Sequence, residues 1–278
     1  ETPFNGDILS TAYNDSQILF VGISHVGEIG ISTHGEDWEI VDQLAINCVD
    51  AGFSDELDAY LIVCSDGNLF LSVEGIEWES KSIDVGATSI TTGNGLILIT
   101  GKDTDGTGFI LYGTDSNLTR IETSKALLCS AFDKETSTFI LAGECGAIYY
   151  TVDGITLSQQ NAGFGSNTIL SVTAENGQYV ATGNNARISI FKEGSWTLQD
   201  ALFRTEDVIF GQHVDILDWY IACSESRVAI ATNNSQEWKH YEFPFIVRGV
   251  TYSSGGKRFL IHGNEGRIFI GTSSVQYI

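Results

Sequence analysis

Residues 60–78 read YLIVCSDGNLFLSVEGIEW, and the order of apolar and turn residues in this stretch decides the fold. A continuous apolar run ends at Cys64, and a tight turn containing Gly67 follows it. The chain then alternates through Leu69 and Leu71 before a hairpin that leads to Trp78. Alternation with a period of two is typical of half-buried strands. The stretch therefore predicts two antiparallel strands and the start of a third.

The same pattern returns seven times along the chain. The residue that opens the alternation is Asn68 here, and its counterparts are Glu28, Phe109, Ala147, Arg187, Arg227 and Arg267, at spacings of 40, 41, 38, 40, 40 and 40 residues. Another apolar run precedes most copies, and a shorter one follows the hairpin. A period of this size indicates an array of supersecondary units that bury their apolar faces against each other. We predict an all-β protein, a single seven-bladed β-propeller with four antiparallel strands per blade and about 40 residues per blade.

The predicted ring is one domain over residues 1–278. Its blades are predicted at approximately 5–42, 43–84, 85–123, 124–161, 162–201, 202–243 and 244–278. Residues 1–4 parallel residues 242–245, so we expect them beside residues 275–278, where the ring closes. The turn between the second and third strands is predicted to be longer in blade one, from Gly22 to Glu28, and in blade three, from Gly101 to Phe109.

The hairpins between the third and fourth strands carry a resemblance to known families. Residues 32–38, 72–78 and 151–157 share the pattern Ser/Thr-x-polar-Gly-x-x-large apolar, and Asp153 stands at the polar position in blade four. This resembles the Asp-box, or BNR repeat, of sialidase-like propellers, and also the repeats of photosystem II assembly-factor-like propellers and of phage tail or bacterial surface proteins. The resemblance implies a module that binds a protein or glycan, with an extracellular, virion or cell-surface location favoured. The motif identifies the blade and not the ligand.

A sialidase-like glycoside hydrolase is the alternative function, and an assembly factor that binds a partner protein is another. A sialidase needs three convergent arginines, a Tyr–Glu nucleophile pair and an acid to hold its charged transition state. The Arg-Ile-Pro signature of that family is absent, because Pro3 and Pro244 follow Thr2 and Phe243. We therefore predict a non-catalytic binding or scaffold module.

Charge is divided unevenly along the chain, whose formal net charge is −22. Residues 1–139 hold 23 acidic and 5 basic side chains, and residues 140–278 hold 13 and 9. A nucleic-acid-binding protein has to supply cations to the phosphates, so nucleic acid is not expected as the partner. No apolar run reaches the roughly 18 residues of a membrane span, so no membrane insertion is expected.

Six of the seven arginines lie from residue 187 onward. In a propeller, the turn between the second and third strands opens on the same face as the connections between blades, which we call the upper face. The predicted partner-binding residues of this face are Arg187, Arg227 and Arg267, with Arg204 and Arg248 in the interblade connections. Two interpretations stay open: the long side chains cover the strand openings, or they dock an acidic peptide or glycan. Equivalent residues on adjacent blades would lie about 15 Å apart, since strands are spaced about 4.8 Å. An extended partner suits that spacing better than a small carboxylate.

Cofactors and metals are not predicted. Asp103 and Asp105 resemble the start of a calcium-binding loop, but the third acidic position and the distal Glu are missing, so a plain Asp-Gly turn is favoured. The five cysteines are predicted to be small buried strand residues rather than disulfides or metal ligands. The chain contains no Met, not even at position 1, so we expect a processed product or part of a larger chain.

Overall fold

The computed structural model describes residues 2–14, 16–44, 47–201, 203, 207–214, 217–232, 237–253 and 258–272. In this part of the chain 27 strands form seven separate antiparallel sheets. Six sheets have four strands in sequence order, and three strands of the seventh are described. The predicted all-β, seven-bladed propeller is confirmed. The predicted fourth strand of blade seven falls on residues 273–278, outside the described residues.

Each blade is a meander that runs from the ring axis outward. Blade one contains β1 Ile8–Asn14, β2 Leu19–Ser24, β3 Glu28–Ser32 and β4 Glu39–Gln43; blade two β5 Cys48–Ser54, β6 Ala59–Cys64, β7 Asn68–Ser72 and β8 Glu79–Ser82; blade three β9 Ala87–Gly93, β10 Leu96–Lys102, β11 Gly108–Thr114 and β12 Asn117–Thr123. Blade four contains β13 Leu127–Asp133, β14 Thr138–Gly143, β15 Ile148–Thr151 and β16 Ser158–Gln159; blade five β17 Ile169–Glu175, β18 Gln178–Gly183, β19 Arg187–Lys192 and β20 Ser195–Gln199. Blade six contains β21 Phe210–Val214, β22 Trp219–Ser224, β23 Arg227–Thr232 and β24 Lys239–Glu242; blade seven β25 Val247–Ser253, β26 Arg258–Gly263 and β27 Ile268–Thr272.

The apolar core lies between the blades. The second strands read as continuous apolar runs because both of their faces are covered, and all six residues of β6 are buried. Tyr60 and Ile62 of blade two pack in one cluster with Val21, Ile23 and Ile29 of blade one. Val180 and Ile188 of blade five share another cluster with blade six. A single blade therefore leaves its apolar faces uncovered, as the repeat period predicts.

The hairpins between the third and fourth strands, on the face opposite the upper face, are held by their own side chains. Ser32 Oγ accepts a hydrogen bond from Gly35 N at 2.9 Å, and Ser72 Oγ accepts one from Gly75 N at 2.8 Å. In blade four Asp153 Oδ1 accepts from Ile155 N and Thr156 N, at 2.9 and 2.7 Å. These backbone bonds lower the pKa of Asp153 to about 2. Hydroxyl and carboxylate acceptors thus stabilise the local turn.

The turn prediction holds for blade three and is wrong for blade one. In blade three β10 and β11 pair as far as Lys102 and Gly108, and the turn between them takes residues 103–107, where Asp103 N donates to Thr107 O at 2.9 Å. In blade one the strand continues past Gly22, and Ser24 pairs with Ile8 just as Cys64 pairs with Cys48 in blade two. From Ser24 to Glu28 is four residues, which is the common length. Ser24 therefore takes the place of the small residue of the other blades, and Gly22 lies two residues inside the strand.

The N-terminal segment closes the ring between blades seven and one. Phe4 is buried with Trp38 of blade one and Leu260 of blade seven, and its ring lies 5.6 Å from that of Trp38. Thr2 Oγ1 donates to Gly266 O, and Thr11 and Thr251 hydroxyls pair at 2.5 Å. The predicted neighbours of this segment, residues 275–278, lie outside the described residues.

A buried histidine at the same seam makes stability depend on pH. His262 is 4% exposed, its Nδ1 lies 3.2 Å from Ile8 O, and burial lowers its pKa to about 4. The ordinary value is about 6.5, so the unfolded chain binds a proton first as the pH falls. We expect the free energy of unfolding to drop by about 3 kcal/mol between pH 6.5 and 4 from this group alone.

The measurement compares wild type with His262→Thr, since threonine stands at the corresponding register in blade three, as Thr100, and in blade five, as Thr182. Urea unfolding at pH 7 and at pH 4 should show the smaller loss in the variant. Equal losses in both proteins would show that His262 is not the group responsible.

In the part of the chain that the structure describes, no helix is long and apolar enough to cross a membrane.

Candidate functional site

The upper face carries the arginines at equivalent places. Arg187 and Arg227 open β19 and β23, Arg267 directly precedes β27, and Arg248 is the second residue of β25. Arg187 and Arg227 are half-buried, whereas Arg248 and Arg267 are exposed. Arg204 lies outside the described residues. The described arginines therefore follow the arc over blades five to seven that the repeat predicts.

Each of the three equivalent guanidinium groups turns toward the connection that leads into its own blade. Arg187 Nη1 donates to Gly163 O at 3.2 Å, and Arg267 Nη1 donates to Pro244 O at 3.1 Å. Arg227 lies over the Phe203 ring, with Cζ 5.9 Å from the ring centre. The partner is 23 or 24 residues earlier in every case. This shared contact ties the third strand to the connecting segment and gives the arginines a structural role.

Blade one uses an acid at the equivalent position. Glu28 is buried, and its carboxylate accepts hydrogen bonds from Asn5 N, Asn5 Nδ2, Gly6 N and Ser24 Oγ at 2.7–3.1 Å. Burial raises its pKa, but the hydrogen bonds from Asn5, Gly6 and Ser24 outweigh it, so the pKa of Glu28 is lowered. The residue at the start of the third strand therefore contacts the connecting segment in blades one, five, six and seven. In blades five to seven an arginine contacts a backbone carbonyl or an aromatic ring, and in blade one Glu28 accepts hydrogen bonds from N–H groups.

Acidic side chains border the arginines. Arg248 Nη2 lies 3.2 Å from Asp7 Oδ2 of blade one, and Arg267 Nη2 lies 2.9 Å from Glu265 Oε2. All four of these side chains are between 29% and 66% exposed, so the pairs are screened by solvent and add little to stability. A guanidinium has five N–H donors, and the contacts named here involve one donor nitrogen of Arg248 and two of Arg267.

Blade three concentrates its charges around Arg120. The guanidinium contacts Asp84, Asp103 and Glu122 at 3.0, 2.6 and 2.7 Å, and its Cζ lies 4.1 Å from the centre of the Phe109 ring. Three surrounding acids, Glu122 first, raise the pKa of Arg120 further above its usual range. The carboxylate of Asp103 thus already has a cation as its neighbour.

The Asp103–Asp105 turn is a closed backbone turn. Gly106 N donates to Asp103 O at 3.0 Å, and Asp105 Oδ1 accepts from Thr107 N and Oγ1 at 2.9 and 2.6 Å. No group of three or more His, Cys, Asp or Glu side chains arranged for a metal ion occurs among the described residues. The geometry is that of the plain Asp-Gly turn favoured from the sequence.

Around the axis, a belt of hydrogen bonds joins the first strands of four blades. Asp50 Oδ1 accepts from Ser10 Oγ of blade one and from Ala51 N, both at 2.9 Å. Its Oδ2 accepts from Ser89 Oγ and Ile90 N of blade three at 2.9 and 3.0 Å. Ser89 Oγ in turn lies 3.1 Å from Ser130 Oγ of blade four. Burial raises the pKa of Asp50 despite these donors.

Sequence reasoning missed Asp50 and the role of Glu28. A raised carboxyl pKa near the axis is what an enzyme in this fold would show, but the neighbours of Asp50 are serines and backbone N–H groups rather than Tyr or His. One signal was present in the sequence: Asp50 is the charged residue at a position where blades one, three and five have Ser10, Ser89 and Ser171. Each oxygen of the Asp50 carboxylate accepts two hydrogen bonds, so we interpret this belt as structural.

A cleft of about 1410 Å³ separates the outer parts of blades six and seven. Aromatic side chains line it, among them Trp219 and Phe259, whose rings stack at 5.9 Å, and Arg267 lies at its upper end. Residues 233–236, which separate the lining residues Thr232 and Glu237 in the sequence, and residues 273–278 lie outside the described residues. We therefore assign no ligand to the cleft.

Comparison with known proteins supports the fold of this chain and does not assign a family. No protein-family model matches the chain, and no curated protein sequence matches it. Among solved structures, the WD40 β-propeller domain of Doa1 superimposes with a TM-score of 0.80 at 11% identity, over 98% of this chain and 94% of that one. YCF48 bound to D1 peptide superimposes with a TM-score of 0.77 at 14% identity, over 100% and 96%. At these identities the similarity concerns the propeller architecture.

Proposed function

We propose that this propeller is a non-catalytic scaffold that binds a protein partner on its upper face, through the arc of Arg187, Arg227, Arg248 and Arg267. The observation that carries the proposal is the placement of Arg187, Arg227 and Arg267 at equivalent positions of blades five to seven, with Arg248 in the first strand of blade seven. They stand in a chain whose net charge is −22. The solved propeller in complex with a D1 peptide supports a peptide as the kind of partner.

Spacing indicates an extended partner. The three equivalent arginines belong to successive blades, so their heads are about 15 Å apart and do not converge on one small anion. An extended peptide advances about 3.3 Å per residue, and roughly five residues separate two such contacts. A segment of ten or more residues with acids at that spacing would meet all three.

The uneven charge of the ring determines which side an acidic peptide approaches. An acidic segment is repelled by residues 1–139, which carry 23 acids against 5 bases, and is attracted to the arginine side of the ring. The half-buried stems of Arg187 and Arg227 are already ordered by their contacts with Gly163 and Phe203. Ordered donors cost less conformational entropy when they bind, so they favour a carboxylate partner.

The location that we propose for the protein is based on the hairpin repeats. Because they resemble those of phage tail and bacterial surface proteins, we propose an extracellular, virion or cell-surface setting. An acidic glycan offers the same carboxylates as an acidic peptide and is the competing outcome of the test below. A glycosidase is not proposed, because no observation on the described residues favours one.

Neutralising the arc should weaken acidic-peptide binding. The test uses immobilised twelve-residue peptides of acidic, neutral and basic composition, together with sialylated and neutral glycans, and measures retention of the full chain. Arg187→Gln/Arg227→Gln/Arg267→Gln should lose at least about tenfold in affinity for acidic peptides, because each exposed charged contact contributes roughly 0.5–1 kcal/mol. Glutamine keeps a donor for Gly163 O and Pro244 O, so the melting temperature should change little.

The matched control is Lys81→Gln/Lys102→Gln/Lys134→Gln, which removes three cations from the acidic half of the ring. It should retain wild-type binding. If both triple variants bind acidic peptides equally, the arc is not the site. Retention of sialylated glycans in preference to peptides would replace the protein partner with a glycan.

A further inference from the structure

We propose that Cys48 and Cys64 are a site of oxidation by hydrogen peroxide, which converts the two thiols into a disulfide between β5 and β6 of blade two. Cys48 opens β5 and Cys64 ends β6, and the two residues are direct partners in the antiparallel register. Their sulfur atoms lie 3.3 Å apart. Both side chains are buried, at 3% and 0% exposure.

Strand pairing places the two cysteines opposite each other at the end of the ladder, where the register shifts between Cys48 and Asp50. Directly opposed residues in antiparallel strands have Cα atoms about 4.5 or 5.5 Å apart, depending on the pair type. Disulfides span Cα distances of about 4.4–6.8 Å. The sulfur atoms need to approach from 3.3 Å to about 2.05 Å, which small side-chain rotations provide.

The other cysteines lack this arrangement. Cys223 is the next-to-last residue of β22, and its register partner is Phe210 rather than a cysteine. Cys129 Sγ is 3.5 Å from Ala142 O. Cys145 is exposed in a left-handed turn, with φ of 54°, so the prediction that all five cysteines are buried strand residues is wrong for this one. The turn carries it out of the strands and into solvent.

The hydrogen bond between the thiols sets their roles. Cys64 donates to Cys48 Sγ, and this bond lowers the pKa of Cys48, which makes Cys48 the nucleophile. The Cys48 thiolate attacks hydrogen peroxide, breaks the O–O bond and becomes a sulfenic acid as hydroxide leaves. The Cys64 sulfur then attacks the Cys48 sulfur and expels the second oxygen as water. Overall, two thiols and one hydrogen peroxide give one disulfide and two waters.

The bond would reinforce the upper face in the acidic half of the ring. Asn47 O and Ser65 N, the next residues toward that face, are joined by a 2.9 Å hydrogen bond. A disulfide beneath it closes a short loop and restricts the unfolded chain. We expect the oxidised protein to melt roughly 5–10 °C higher than the reduced protein.

The experiment treats the folded full chain with hydrogen peroxide, blocks free thiols with an alkylating reagent under denaturing conditions, and maps the peptides without reductant. Trypsin is unsuitable, because the first Lys or Arg is Lys81. A glutamyl endopeptidase cuts after Glu56 and separates the two cysteines. The expected result is one linked fragment pair containing Cys48 and Cys64, which a reductant separates.

Cys223→Ala is the matched control and should give the same linked pair and the same thermal shift. Cys48→Ala should give neither, and its Cys64 should be alkylated. The proposal is overturned if Cys48 and Cys64 are both alkylated after peroxide treatment, if Cys48 is oxidised to the sulfinic acid with Cys64 free, or if either cysteine is linked to Cys145.

Discussion

Replacing Asp50 by Ala should lower the free energy of unfolding by about 3–5 kcal/mol. The carboxylate accepts four hydrogen bonds at 2.9–3.0 Å, one from its own strand and three from the first strands of blades one and three. Alanine removes all four acceptor contacts. It leaves the N–H groups of Ala51 and Ile90 without their side-chain acceptor at a half-buried position.

Asp50→Asn provides a graded test of the same explanation. Both carboxylate oxygens accept a backbone N–H, from Ala51 and from Ile90. Asparagine has one acceptor oxygen, so its amide nitrogen must face one of those donors. We expect a loss between zero and the value for alanine, about 1–3 kcal/mol.

Urea unfolding followed by tryptophan fluorescence measures both variants. The control is Asp66→Ala, which removes an exposed carboxylate of the same blade and should change stability by less than about 0.5 kcal/mol. If Asp50→Ala unfolds at the same urea concentration as Asp66→Ala, the belt contributes nothing to stability.

Phe4→Ala should cost about 3–5 kcal/mol and should open the ring at one seam. Phe4 is the fourth residue of the sequence and is 5% exposed. Its ring fills the space above Gly22 and Gly30, where an added Cβ would lie 3.3 and 2.4 Å from ring atoms. Without it, the cluster with Trp38 and Leu260 is left with a cavity between blades one and seven.

Phe269→Ala is the control, because that ring is 49% exposed and should cost about 1 kcal/mol or less. Urea unfolding gives the stabilities, and amide hydrogen exchange locates the opening. Exchange should accelerate in β1 and β26 of the Phe4 variant before it does in β13 and β14. Uniform acceleration around the ring would contradict closure by the N-terminal segment.

The blades were predictable because each repeat is one local unit. Period-two alternation around Leu69 and Leu71 specifies a strand wherever it occurs, and the recurrence of the turn specifies the meander. The face that holds Arg187, Arg227 and Arg267 followed from the same register. Blade one shows where this reasoning fails: Gly22 resembles the small residues of the other blades, but pairing with β1 continues to Ser24. A glycine inside a strand and a glycine at its end look the same in the sequence.

By itself, the sequence determined the number of blades, the four-strand meander and the face on which the arginines stand, because strand, turn and hairpin signals act over a few residues. The tertiary structure alone decided which groups those residues meet. Asp50 reaches donors about 40 positions away in both directions, and Phe4 packs against Leu260 at the other end of the chain. Such contacts depend on how the blades pack around the axis, and adjacent blades bring together residues whose separation in sequence carries no local pattern.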